Sequence, residues 1–181
     1  MATTRLLTIH DVEHAPPEGE WELIDGELVP MTPSGIESSS LGLRLGRMIG
    51  YFVDANQLGL VTGADGGYVL FQDRATLRVP DAAFIREERL PPRGERSRFS
   101  RVPPDLAVEV LSPSDSASEV VAKLEMYQEA GVPLIWLVDP AKMTITVIAS
   151  GKTVEILKPG DTLEGGDVLP GFSVQVSEIF A

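Results

Sequence analysis

A strand, a capped helix and a second strand follow one another between Leu106 and Val138, and that succession restricts the chain to folds containing a parallel strand pair with a right-handed crossover. Leu106–Leu111 is an apolar run of strand length. Ser116-Ala117-Ser118-Glu119 matches a capping box, in which hydroxyl and carboxylate satisfy the free N–H groups of a helix start. The helix is expected to run to about Ala130, where Gly131 supplies the stop and Pro133 blocks continuation. Leu134-Ile135-Trp136-Leu137-Val138 then reads as a strand apolar on both faces. One residue breaks the pattern. Glu109 sits inside the first strand, and a buried carboxylate is costly unless it is paired or binds a metal. Glu109 therefore calls for a metal ion or a structural cation such as an arginine.

The rest of the chain supplies further β-structure around one long helix. Trp21–Val29 reads as two short strands joined at Asp25-Gly26, a hairpin signal, and Pro30 and Pro33 end it. Gly35–Asn56 carries apolar residues at three- and four-residue intervals, which predicts a helix packed on a sheet. Leu60–Thr62, Tyr68–Phe71, Thr76–Val79 and Ala82–Ile85 read as a meander or several hairpins. Glu87–Pro104 is an exposed loop, Thr144–Ala149 with Thr153–Leu157 a hairpin, and Leu163–Phe180 short edge strands with a terminal turn. At 181 residues the chain fits a single domain, 1–181, with an N-terminal arm (1–20) and a β-rich extension (141–181).

Composition removes several function classes. There are no cysteines, which excludes disulfides, thiolate metal sites and cysteine nucleophiles and is compatible with a cytoplasmic setting. No apolar run is long enough to span a membrane or act as a signal peptide. Net charge is −12, which opposes broad electrostatic attraction to nucleic acid or an anionic membrane. Positive charge is concentrated in one place: Arg86, Arg89, Arg93, Arg96, Arg98 and Arg101 stand against Glu87, Glu88 and Glu95, leaving a segment of +3 and a remainder of −15. Such a loop can grip phosphate. The alternative is a solvated loop with internal Arg–Glu pairs.

Asp81 follows Pro80 after the Thr76–Val79 run, and Glu109 lies on a later strand. Two carboxylates on neighbouring strands can share a hard divalent cation such as Mg²⁺ or Mn²⁺. Lys123, on the next helix, has the charge to orient a water or steady a developing phosphate charge. Each has a plainer alternative: Asp81 as a turn cap, and Lys123 as a helix-surface partner of Glu119 four residues before it. His10 and His14 have no partner at ligand spacing, and Gly63, Gly66 and Gly67 read as turns.

Pro80-Asp81, Glu109-Val-Leu-Ser-Pro-Ser-Asp115, Lys123 with Tyr127, Gly131-Val-Pro133 and Trp136-Leu-Val-Asp-Pro140, preceded by Glu22-Leu-Ile-Asp-Gly-Glu-Leu28, Met31 and Pro33, together resemble the Uma2 (DUF820-type) family. That family is similar in fold to PD-(D/E)XK restriction-endonuclease-like nucleases. The resemblance implies an α/β core with a mixed central sheet flanked by helices, and a Mg²⁺- or Mn²⁺-dependent endonuclease-like hydrolase acting on DNA, expected as a homodimer. It implies Asp81 and Glu109 as metal ligands, with the Val110 carbonyl a third. The motif lysine two residues after the second acid is Leu111 here, so Lys123 takes its role from the helix. By the same resemblance, relatives often carry a histidine near the start of the first long helix, where this chain has Glu37-Ser38-Ser39. Glu22 is a further acidic candidate or a solvated strand residue, and Tyr127 either covers the site or is plain core. A catalytically inactive nuclease fold that binds a partner or nucleic acid is the rival reading.

Overall fold

The computed structural model describes residues 5–181. In chain order the elements are α1 (Ile9–His14), β1 (Trp21–Ile24), β2 (Glu27–Pro30), α2 (Ile36–Asn56), β3 (Gly59–Gly63), β4 (Tyr68–Phe71), β5 (Thr76–Arg78) and β6 (Ala82–Arg86). After a loop with two short 3₁₀ turns come β7 (Leu106–Val110), α3 (Ala117–Glu129), β8 (Leu134–Asp139), β9 (Thr144–Ala149), β10 (Glu155–Leu157), β11 (Thr162–Glu164), β12 (Ser173–Gln175) and α4 (Val176–Phe180).

The strands form a six-stranded sheet in the order β10-β9-β8-β7-β6-β3, a four-stranded sheet β2-β1-β5-β4, and a separate pair β11-β12. Within the large sheet β7 and β8 are parallel and the other neighbours antiparallel, so the sheet is mixed, as the βαβ pattern predicts. Ser116 caps α3 with the reciprocal Glu119 contact expected from sequence. At the β1–β2 turn Asp25 and Gly26 have φ of 49° and 82°, the doubly left-handed geometry that the Asp-Gly pair adopts most readily.

Side-chain alternation assigns the faces. Leu106, Val108 and Val110 of β7, with Phe84 and Trp136, pack against Leu41, Leu45, Ile49 and Val53 of α2. Ala107 of β7, with Ala83, Ile85 and Ile135, packs against Tyr127 and Leu124 of α3. Glu109 is on this second parity, so its side chain is delivered to α3.

Three features depart from the sequence reading. The N-terminal arm contains α1, whose Ile9 and Val12 pack with Leu23, Val69 and Leu77 of the small sheet. The 59–86 segment is no simple meander: β3 pairs with β6 across an excursion in which β4–β5 joins the other sheet. The terminal turn is the helix α4, and Leu169, Phe172, Val176 and Ile179 complete the core beside α2 and Trp136. No helix among the described residues is long and apolar enough to cross a membrane.

Candidate active site

Pro80-Asp81 is the junction where the chain leaves the small sheet after β5 and enters the large one as β6. The β6–β7 register pairs Ala82 with Val108, and one further step places Asp81 opposite Glu109. The Val110 N–H donates to Asp81 Oδ2 at 2.7 Å, tying the two strand ends together. Gly42 lets α2 come close here; a Cβ at that position would lie 3.2 Å from Asp81 Cβ. Ser38 of α2 donates its hydroxyl to the Leu111 carbonyl at 3.0 Å. The start of α2 is thereby fixed to the chain just beyond the end of β7.

Glu109 is 8% exposed and both of its oxygens are engaged. Lys123 Nζ donates to Oε2 at 2.8 Å and the Tyr127 hydroxyl to Oε1 at 2.6 Å. The two donors are four residues apart on α3 and share its inner face. Lys123 is thus no surface partner of Glu119, which caps Ser116 instead. The cation beside Glu109 is a lysine rather than an arginine, and Tyr127 is at once core and a donor to the site. The Val110 carbonyl lies at the end of β7 beside this cluster.

Glu22 is buried rather than solvated, at 6% exposure. Its Oε2 accepts from Arg78 Nη1 at 2.5 Å, and its Oε1 accepts from the Val79 N–H at 3.0 Å and lies 3.6 Å from Lys123 Nζ. Arg78 is the one residue of the cluster that sequence reasoning missed. Its signal lies in the sequence, since a guanidinium within the Thr76–Val79 strand run needs a partner as a buried carboxylate does.

Electrostatics follow from the count of charges. Three carboxylates, Glu22, Asp81 and Glu109, meet two cations, Arg78 and Lys123. Burial pushes the Glu109 carboxyl up to about 7; Lys123 opposes this, while Asp81 and Glu22 add to it. Burial likewise raises Asp81, against the Val110 N–H and Lys123 and with Asp115 and Glu22. In Glu22 burial acts upward but Lys123, Arg78 and the Val79 N–H outweigh it, holding the carboxyl below its usual range. Burial acts to lower the Lys123 ammonium, and Glu109 and Glu22 overcome it, so the lysine stays charged. A buried cluster short of one positive charge is suited to a cation. The donors are hard oxygens, as Mg²⁺ and Mn²⁺ prefer. Among the described residues Asp81 Oδ1 accepts no hydrogen bond, and Glu109 Oε2 keeps a lone pair beyond the one used by Lys123. No group of three or more acidic or histidine side chains converges at metal-ligand geometry among the described residues, so a cation here would rest on the Asp81–Glu109 pair and backbone or water oxygens.

The arginine segment lies elsewhere. It leaves β6 at Arg86, five residues from Asp81, or about 17 Å along the strand. The loop therefore flanks the end of the β6–β7 pair opposite the acids. Arg86 and Arg89 pair with the buried Asp105, and Arg101 with Glu13, while Arg96 Nε donates to the Pro91 carbonyl; internal Arg–Glu pairs are not formed. These arginines, with Arg93 and Arg98, do not contact the acidic cluster. A cavity of about 610 Å³ opens at that far end, lined by Phe99, Tyr68 and Leu90 among others, and is likewise remote from Asp81 and Glu109.

The fold matches a crystal structure from Anabaena variabilis described as a "putative nuclease belonging to DUF820", with a TM-score of 0.83 and 18% identity over 96% of this chain and 97% of that one. No curated protein matches the chain. The model of the Uma2 family, described as "Putative restriction endonuclease", matches residues 7–177. With nearly the whole length matched and the motif residues gathered at one sheet end, the chain belongs to the Uma2 family.

Proposed function

We propose that this protein is a divalent-cation-dependent phosphodiesterase acting on DNA. The observation that carries the reading is the placement of a charged Lys123 2.8 Å from a buried Glu109 that lies across from Asp81 at the ends of β6 and β7. Asp81 and Glu109 would hold Mg²⁺ or Mn²⁺, with the Val110 carbonyl as a further oxygen, and the cation would polarise the scissile phosphate. Lys123 orients the attacking water and offsets negative charge that develops on the phosphate. Tyr127 fixes the Glu109 carboxylate from its other oxygen. A homodimer belongs to this reading, because nucleases that cut both strands often pair two sites.

The first test is calorimetric titration of Mn²⁺ into the parent and Asp81→Asn, followed by incubation of both with plasmid DNA. Saturable binding and cleavage, both lost in the variant, are the expected result. Binding that is absent, or equal in the two proteins, removes the metal from the reading. One observation favours a second reading, a nuclease fold used only for binding: both Glu109 oxygens already have protein partners. Under that reading the parent retains DNA or a partner without cleaving it.

A further inference from the structure

The Glu22–Arg78 pair takes no part in the chemistry above, yet it is as deeply placed as Glu109. The two side chains are 8% and 7% exposed. A buried ion pair adds little to stability, because the loss of hydration offsets most of the attraction, and two apolar side chains would serve the fold as well. Its position accounts for it. β1 and β5 pair Leu23 with Leu77, so the next step sets Glu22 opposite Arg78. Arg78 Nη2 reaches Met126 Sδ at 3.2 Å, which seats the guanidinium against α3. The same helix carries Lys123, whose Nζ lies between Glu109 Oε2 at 2.8 Å and Glu22 Oε1 at 3.6 Å.

A lysine side chain has four rotatable bonds, and one carboxylate fixes its ammonium poorly. Two carboxylates from different sheets define a position. We propose that Arg78 and Glu22 act as a positioning pair that holds the Lys123 ammonium at Glu109, so that Glu22 serves the lysine and is not a metal ligand. Glu22 Oε2 accepts from Arg78 and Oε1 from the Val79 N–H, and the Lys123 ammonium lies 3.6 Å from Oε1 as an ion pair. Met126 seats one arm of the Arg78 guanidinium while the other arm holds Glu22 Oε2. The catalytic consequence rests on the role proposed for Lys123; the positioning itself is measurable without any substrate.

The test uses the full ¹⁵N-labelled chain. A lysine ammonium held in hydrogen bonds exchanges slowly and gives a resolved NH₃⁺ signal, assigned here by its loss in Lys123→Arg. That signal is expected in the parent and absent in Glu22→Gln and Arg78→Met. Mn²⁺ affinity should stay within about 3-fold of the parent in both, while a misplaced ammonium lowers kcat by about 10- to 100-fold at unchanged KM. The double variant should lose no more than Glu22→Gln alone, because Arg78 acts through Glu22. A Lys123 signal that persists in Glu22→Gln overturns the proposal, as does a loss of Mn²⁺ affinity in Glu22→Gln equal to that in Asp81→Asn. If Arg78→Met does not fold, the isosteric Glu22→Gln decides by the same signal. If the parent cleaves no DNA, the proposed reaction fails while the ammonium signal still judges the positioning.

Discussion

Both ends of the β6–β7 pair bury carboxylates against cations, and the two ends have opposite charge balance. At one end Asp105, 2% exposed, lies between Arg86 and Arg89 and also accepts from the Arg86 N–H: one acid, two guanidinium groups and a backbone donor. At the other end Glu22, Asp81 and Glu109 share Arg78 and Lys123. The first is a finished clasp that closes a long loop onto the sheet. The second leaves three carboxylates to two cations, with burial raising the Glu109 carboxyl to about 7, and that unmet charge is what the proposed cation would neutralise. Burial alone does not separate the two acids; the charge balance around them does.

The contrast breaks most sharply under substitution of the acids. Asp81→Asn should weaken Mn²⁺ binding by more than about 100-fold, since even outer-shell partners of a metal are worth 10- to 100-fold, while its thermal midpoint holds or rises at neutral pH because a repelled charge has been removed. Calorimetry and a melting curve on the same sample check both halves. Lys123→Met is expected to lower the cleavage rate by about 10²- to 10⁴-fold. Asp105→Ala should do the reverse: no change in Mn²⁺ affinity, and a loss of about 2 kcal/mol, read as a midpoint lower by roughly 4–8 °C. An Asp105 variant with normal stability and impaired metal binding would reverse the assignment of the two ends.

The folded state holds a proton on Glu109 up to about pH 7, whereas an ordinary glutamate releases it near 4.5. Between those values the folded state binds more protons than the unfolded one, so this group's contribution to stability falls as pH rises. Glu109→Gln should therefore gain on the parent across that window in pH-dependent denaturation, and Mn²⁺ should raise the parent's midpoint more at pH 8 than at pH 5.5. The smallest effect is expected at the basic end. Arg96→Ala and Arg98→Ala should stay within about 0.5 kcal/mol of the parent and leave Mn²⁺ affinity unchanged.

Local signals were the legible ones. The capping box at Ser116, the Asp25-Gly26 turn and the apolar β7 and β8 segments carry their structure in a few adjacent residues, and the parallel pairing follows from their order. Glu109, Asp81, Lys123, Tyr127 and Glu22 do meet at one place, which the ordered motifs had suggested. What was hidden depends on partners far away in the chain. Whether β4–β5 joins β3–β6 or β1 is a question of tertiary packing, and α1 is too short to declare itself without the small sheet beneath it. The arginine segment misled because nearness in sequence to β6 and β7 says nothing about which end of the strands it occupies. The place of Arg78 in a strand run is legible, but its partner is not, since Glu22 lies 56 residues earlier on a strand in another hairpin.

The origin of the cluster in two sheets has a consequence for folding. Glu22 and Arg78 belong to the small sheet, Glu109 to the large one, and the chain passes between them at Val79-Pro80-Asp81. Contacts such as Glu22 with Lys123 close more than half the chain, so they form only after each sheet has its own strands in register. The site is therefore expected to be among the last parts of the molecule to form during folding. It is also among the first to vanish if the small sheet separates from its neighbour while the large sheet stays intact, an opening that amide exchange would register in β1 and β5 before β7 and β8.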